Sequence, residues 1–364
     1  MLSANSLSQL LKMPAISERH KEILKAVVGT YVLSAEPVGS KTLVERHGMG
    51  ISSATARKVM ADLEQEGYLR RSHISSGRIP TDRGYRLYVN SLMTAQDLAP
   101  AEKTTIQAEV DGSPGRLEDI LGRTSKLLSR VSKYAAVVSG PKAAVSRIAR
   151  LEVVRLGPRK MLIVCVDELG NVRSDAIDLD EDLSHDDAHE LSSMLNDILG
   201  GVPLGELEMR VKERIGVLGH RHSRLAGVAL EFADRIKLGD FARGKMYLEG
   251  AAKVLEQPEF HDLEKVRLFL EALEEQETFA GLFSATDRVS GSEIRVVIGS
   301  ENGSEAMRDC SLVAKVYGSH AGPLGFVCVV GPTRMRYERI TSVVGYTAET
   351  IDRALRRLAA VGSI

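Results

Sequence analysis

Along the first part of the chain, apolar residues recur at helical spacing. Ile23, Leu24, Val27, Val28 and Tyr31 share one face of a helix that Ser17 caps and Glu18 opens. Glu36-Pro37 breaks it, and Gly39-Ser40 opens a shorter helix carrying Leu43 and Val44. Gly48 to Ile51 form a turn into a third helix, where the Ser52-Ser53 pair can cap and Ala56, Val59, Met60 and Leu63 make a buried stripe that stops at Gly67. The period then changes. Tyr68 to Ile74 and Arg78 to Pro80, joined by Ser75-Ser76-Gly77, read as a small hairpin, and Thr81-Asp82 cap a fourth helix with Tyr85, Tyr88, Val89 and Leu92 on one face. Three helices, a tight turn and a hairpin predict a winged helix-turn-helix domain over 15–93, preceded by a loosely held tail before Pro14.

From 94 to 115 the composition turns polar, with Pro100, Gly112, Ser113 and Pro114, which predicts a linker. Leu117, Leu121, Leu127, Leu128 and Val131 mark the next helix, and Ile148 to Leu156, Met161 to Val166 and Val172 to Leu179 read as strands. Over 183–284 the pattern is almost wholly helical: Leu191, Met194, Leu195 and Ile198; then Leu207, Val211, Leu218, Leu225 and Phe232; then Val266, Phe269, Leu270 and Leu273. Strands resume at Ile294 to Ile298, Ser311 to Tyr317 and Phe326 to Val330. A long helix closes the chain, with Ile340, Val343, Val344, Thr347, Ile351, Ala354, Leu355 and Leu358 on one face. Strands on both sides of a helical block can complete one sheet, so 116–182 and 285–364 are expected to form one α+β domain that the block interrupts.

Across the third helix from its apolar stripe lie Ser53, Ala54, Arg57, Lys58 and Ala61. Two cations among small residues suit a helix lying in a phosphate-lined groove: Arg57 and Lys58 can reach bases or phosphates, and Ala54 a thymine methyl. From Arg70 to Arg86 five arginines face a single acid, Asp82, whereas the whole chain carries a formal charge of −1. Any nucleic-acid surface is therefore expected to be concentrated in this region. The candidate DNA contacts are Ser53, Ala54, Thr55, Arg57 and Lys58 on the helix and Arg70, Arg71, His73 and Arg78 on the hairpin, with Arg78 expected to meet phosphates. The same pattern also suits a winged-helix domain that binds protein instead.

Cys165, Cys310 and Cys328 sit far apart in apolar runs, which fits buried reduced thiols and a cytoplasmic protein. No signal peptide or membrane span is read from the sequence. His185 and His189, four apart among Asp186, Asp187 and Glu190, could chelate a cation, but acids at a helix start are ordinary dipole chemistry, and no metal is expected. Gly318, Gly322 and Gly325 precede a strand and read as turn residues, not as a nucleotide cradle. No nucleophile, base or paired-carboxylate arrangement points to an enzyme or a cofactor.

The segments SSATARKVMADLE from Ser52, SGRIPTDRGYR from Ser76 and VVGPTRMRY from Val329 resemble the HrcA-type heat-inducible transcription repressors of bacteria. The likeness runs through nearly the whole chain and is strongest at its two ends. This chain departs from the family's pattern at Lys58, where asparagine is more usual, and at Ala56, where a larger aliphatic residue is; lysine adds a cation without an amide's planar readout. The resemblance implies a GAF-like domain holding an inserted, largely helical dimerisation domain. It also implies a homodimer that binds the CIRCE inverted repeat before chaperonin and Hsp70 operons, and a GroEL-type chaperonin as regulator. Two other readings stay open: a winged-helix regulator whose GAF-like domain senses a small ligand, and a chaperone-interaction module that has lost DNA binding.

Overall fold

The computed structural model describes residues 16–72, 77–112, 117–140, 147–168, 172–180, 182–202, 206–215, 228–230, 245–260, 262–274, 279, 293–319 and 322–361. The tail before Pro14 lies outside them, as do Leu218, Leu225 and Phe232. Helix α1, Glu18–Ser34, starts where the Ser17 hydroxyl accepts the His20 N–H at 3.3 Å, and ends at Ala35 in the left-handed conformation. Helix α2, Ser40–His47, stops at Gly48, and α3, Ser53–Gln65, is capped by Ser52, whose hydroxyl accepts the Thr55 N–H at 3.1 Å. Leu69–Arg71 (β1) and Arg78–Pro80 (β2) pair antiparallel, Leu69 opposite Pro80. Val38 adds one extended residue to this sheet, exchanging two 2.9 Å hydrogen bonds with Arg78. Gly77 permits the approach: a Cβ there would lie 2.8 Å from the Pro37 backbone. Thr81 caps α4, Asp82–Leu87, which continues as one wider turn, Tyr88–Leu92.

The expected linker contains a helix, α5, Pro100–Asp111. Pro100 occupies the first helical position, where its missing N–H costs nothing, and the Glu102 carboxylate accepts the Ala99 N–H at 3.0 Å. Ile106 and Val110 are buried, and Glu102 meets Arg339 at 2.6 Å. Helix α6, Leu117–Ser132, leads into β3, Ala135–Ser139.

Strands β4 (Ile148–Gly157), β5 (Lys160–Asp167) and β6 (Val172–Asp178) fall where their patterns predict, but they pair only with one another, as a separate antiparallel sheet. One face, with Leu151, Val153, Met161, Ile163, Cys165 and Ile177, packs on helix α7, His185–Leu199, and on Val211 of α8, Leu207–Ile215. Helix α7 also serves the open edge of β4: Ser192 accepts the Val153 N–H and Asn196 the Leu151 N–H, both at 2.8 Å.

The 183–284 block is less wholly helical than its pattern predicts. Met246–Glu249 is a strand, β7, followed by α9, Ala251–Leu255, and α10, Leu263–Glu274. With β8 (Ile294–Ile298), β9 (Cys310–Ser319) and β10 (Gly322–Pro332) it forms a five-stranded antiparallel sheet in the order β7-β3-β10-β9-β8. Val313, Val327 and Val329 face α6 and the closing helix α11, Tyr337–Val361; Leu312, Ala314, Cys328 and Val330 face Phe260, Phe269 and Phe279. Both faces are covered, which is why these strands read as continuous apolar runs. Each fully buried Val, Leu or Phe contributes about 1.5–3 kcal/mol. Gly318, Gly322 and Gly325 lie within β9 and β10 instead of in turns; a Cβ on Gly325 would strike the Ser139 carbonyl. Cys165, Cys310 and Cys328 are buried and not joined in disulfides, and burial pushes the last two thiols far above the usual thiol range.

Candidate nucleic-acid interface

Helix α3 has two unlike faces. Ala56, Val59, Met60 and Leu63 are buried against α1 and α2, whereas Ser53, Ala54, Arg57 and Lys58 are exposed. Thr55 is half-buried, with its hydroxyl 2.9 Å from that of Ser52, so it is engaged in the cap. Neither Arg57 nor Lys58 forms an ion pair among the described residues. Their charge is thus available to an outside partner, and the small Ser53 and Ala54 beside them leave room for a groove wall. Behind them, His20 Nε2 of α1 lies 3.8 Å from Asp62 of α3, while His47 Nε2 of α2 lies 2.8 Å from the Thr30 hydroxyl of α1.

The hairpin carries the second group of candidates. Arg70 is exposed. Arg71 and Arg78 stand directly opposite each other in the β1–β2 register, and like charges so placed repel. Glu64 of α3 resolves the conflict, with its carboxylate 3.1 Å from Arg71 Nε and 2.8 Å from an Arg78 terminal nitrogen. The two arginines end differently: the Arg71 side chain is 72% exposed, that of Arg78 only 11%. Arg78 therefore departs from its expected place facing phosphates; it is turned inward and ties the hairpin to α3. His73 lies outside the described residues.

Glu64 lies before the arginine-rich stretch that starts at Arg70, so the local charge pattern does not reveal it. Nor does that pattern reveal two features of the turn from α3 through the hairpin into α4. The Thr81 hydroxyl donates to the Gly67 carbonyl at 2.6 Å, and the Arg83 guanidinium stacks over the Tyr68 ring at 4.7 Å. Gly84 lies so close to the Tyr68 carbonyl that a methyl group would strike it. Only the glycine hinted at this contact.

Elsewhere, His185 and His189 stand on α7, whose start is a capping box: Ser184 caps Asp187 N–H at 3.1 Å, and the Asp187 carboxylate accepts the Ser184 N–H at 2.9 Å. Among the described residues, no group of three or more His, Cys, Asp or Glu is placed to hold a metal ion, and no helix is long and apolar enough to cross a membrane.

Comparison with known proteins adds to this geometry. Residues 118–341 match the family model of the HrcA protein C terminal domain. The chain is 36% identical over 343 residues to the heat-inducible transcription repressor HrcA of Geobacter sulfurreducens, covering 94% of this chain and 99% of that protein. It is 32% identical over 343 residues to that of Bacillus pumilus, again covering 94% and 99%. A crystal structure of a hypothetical protein superposes with a TM-score of 0.63 at 23% identity, over 94% of this chain and 100% of the other, and so shares its fold.

Proposed function

The chain belongs to the HrcA family of heat-inducible transcription repressors, and from that premise we propose that it represses chaperonin and Hsp70 operons by binding the CIRCE inverted repeat as a homodimer. In this reading residues 16–93 are a winged helix-turn-helix head, with α3 in the major groove and the hairpin as wing. Ser53, Ala54, Arg57 and Lys58 meet base edges and the nearest phosphates, and Arg70 and Arg71 meet the flanking backbone. The observation that carries it is the exposed cation pair of α3, which forms no ion pair among the described residues and is set opposite a wholly buried stripe.

An inverted repeat needs two heads related by a two-fold axis, and we assign the dimer contact to the inserted unit of β4–β6, α7 and α8. The outer face of its sheet carries an apolar set, Val154, Leu162, Val164, Val166, Val172 and Ala176, interspersed by register with Arg150, Glu152 and Ser174, and Val154 and Val172 are 42% and 61% exposed. The five-stranded sheet with α6 and α11 is the GAF-like domain of this scheme. A GroEL-type chaperonin modulates the repressor by keeping it in its folded, binding-competent state, so that repression lapses when damaged proteins occupy the chaperonin.

A gel-shift titration tests the reading, using purified protein, a duplex bearing the inverted repeat and one with scrambled half-sites, at two salt concentrations and with chaperonin added or omitted. Tight, salt-sensitive binding to the repeat alone is expected. Equal weak binding to both duplexes, with chaperonin present, would overturn it and favour a ligand-sensing regulator.

A further inference from the structure

The head is bound to the five-stranded sheet domain by an array of contacts from α4. Asp82, its first residue, accepts hydrogen bonds from the Ser300 N–H at 2.9 Å and the Ser300 hydroxyl at 2.8 Å. One turn later Arg86 donates through Nε to Glu301 at 2.8 Å, makes a second bond to the same carboxylate, and donates to the Val296 carbonyl at 2.7 Å. The bidentate geometry fixes orientation as well as distance. Residues 299–302 are shaped for this: Gly299 has φ of 52°, any Cβ there would strike the Asp82 carboxylate, and Glu301 also accepts the Ile298 N–H at 2.9 Å. On the other side of the joint the Tyr88 hydroxyl donates to the Glu338 carboxylate, and the Gln96 N–H donates to the Glu338 carbonyl at 3.0 Å. The Tyr85 and Tyr337 rings meet at 5.9 Å, which joins the SGRIPTDRGYR and GPTRMRY segments.

Helix α4 is equally firm on the side of the head. Thr81 donates to the Tyr68 carbonyl through its N–H at 3.1 Å and to the Gly67 carbonyl through its hydroxyl at 2.6 Å, and Gly84 lies against the Tyr68 carbonyl. Recognition helix, wing, α4 and sheet edge thus form one continuous chain of directional contacts.

We propose that Asp82 and Arg86, with Gly299, Ser300 and Glu301, are positioning residues that set which half-site spacing the dimer accepts. The inference rests on the operator reading above. A head on a loose tether makes the same contacts to one half-site but tolerates many separations between two; a clamped head accepts the separation its partner's geometry dictates. None of these residues needs to touch DNA to act in this way.

The test is a spacing series with wild type, Ser300→Ala/Glu301→Gln and Gly299→Ala, the last displacing Asp82 without removing a polar group. Affinities are measured for a single half-site and for inverted repeats with the natural separation, about 5 bp more and about 10 bp more, half a helical turn and a full one. Wild type is expected to favour the natural separation by at least about tenfold, and both variants by less than about threefold, with single-half-site affinity and melting temperature close to wild type. A selective wild type beside equally selective variants overturns the latch alone. Variants that lose half-site affinity or unfold early also overturn it, because the contacts then merely support the head. A wild type that shows no preference for the repeat at any separation overturns the operator reading and the latch with it.

Discussion

Arginines on the outer face of the head and arginines at its junctions have opposite fates. Arg57 and Arg70 end in solvent, whereas Arg78, Arg86 and Arg334 end on Glu64, Glu301 and Glu259. Residue type and local charge density do not separate the two groups. What separates them is whether a carboxylate reaches the site from elsewhere, 14, 215 or 75 residues away in the chain. A guanidinium so partnered gives directional contacts that orient one element on another; one left alone keeps its attraction for phosphate. The molecule thus presents cations in one place and uses them internally in another.

The largest effect is expected at Arg334, which is as enclosed as Arg78 and has the more enclosed carboxylate partner. Its side chain is 11% exposed, beside Glu259 at 22%, and it also donates to Gln257 at 3.0 Å. Arg334→Ala leaves that carboxylate enclosed and unmatched, and is expected to destabilise the protein by about 3 kcal/mol, read from denaturant unfolding. Arg57→Ala should leave the same curve unchanged; equal losses in both variants would erase the distinction. Gly84→Ala comes next. Alanine is the better helix former by about 1 kcal/mol, yet here its methyl group meets the Tyr68 carbonyl, so a net loss of about 1–3 kcal/mol is expected by the same assay.

The smallest effect sharpens the comparison through pH. The Ala99 N–H, and after it Arg339, hold the Glu102 carboxyl below its ordinary range, and Arg357 does the same for Asp111. Each group is more acidic folded than unfolded. Its contribution is present above the unfolded value and is lost as pH falls through the folded one, from about pH 4 downward. Melting temperatures followed into acid should show a shallower decline for Arg339→Ala than for wild type. Arg57→Ala, whose cation has no acidic partner among the described residues, should follow wild type; an altered acid slope in that variant would count against the division.

These differences explain what could be read from the chain alone. The elements of the head were legible, because each rests on a local signal: Ser17, Ser52 and Thr81 as caps, Gly48 as a stop, and apolar stripes of helical period. The exposed face of α3 followed from the same period. Arg78 was not legible as an inward residue, since its direction depends on Glu64 in another element. Helix α5 was hidden by Pro100, a residue that breaks helices inside but starts them at the first position. Strand β7 is four residues long without alternation, and its partner β3 lies more than a hundred residues earlier. Periodicity also could not tell that β4–β6 form their own sheet, because pairing partners are not written in a strand's own pattern.

The most direct test of the central claim compares Arg57→Ala with Arg78→Ala. Affinity for the inverted repeat is measured over a range of salt concentrations, alongside unfolding of each variant. Loss of the exposed cation should lower affinity by about 1–3 kcal/mol and flatten the salt slope by about one, with stability unchanged. Loss of the inward one should lower stability and leave the slope near wild type. An Arg78→Ala protein that keeps full stability and loses as much salt slope as Arg57→Ala would contradict the account, for it would show that Arg78 faces phosphate after all.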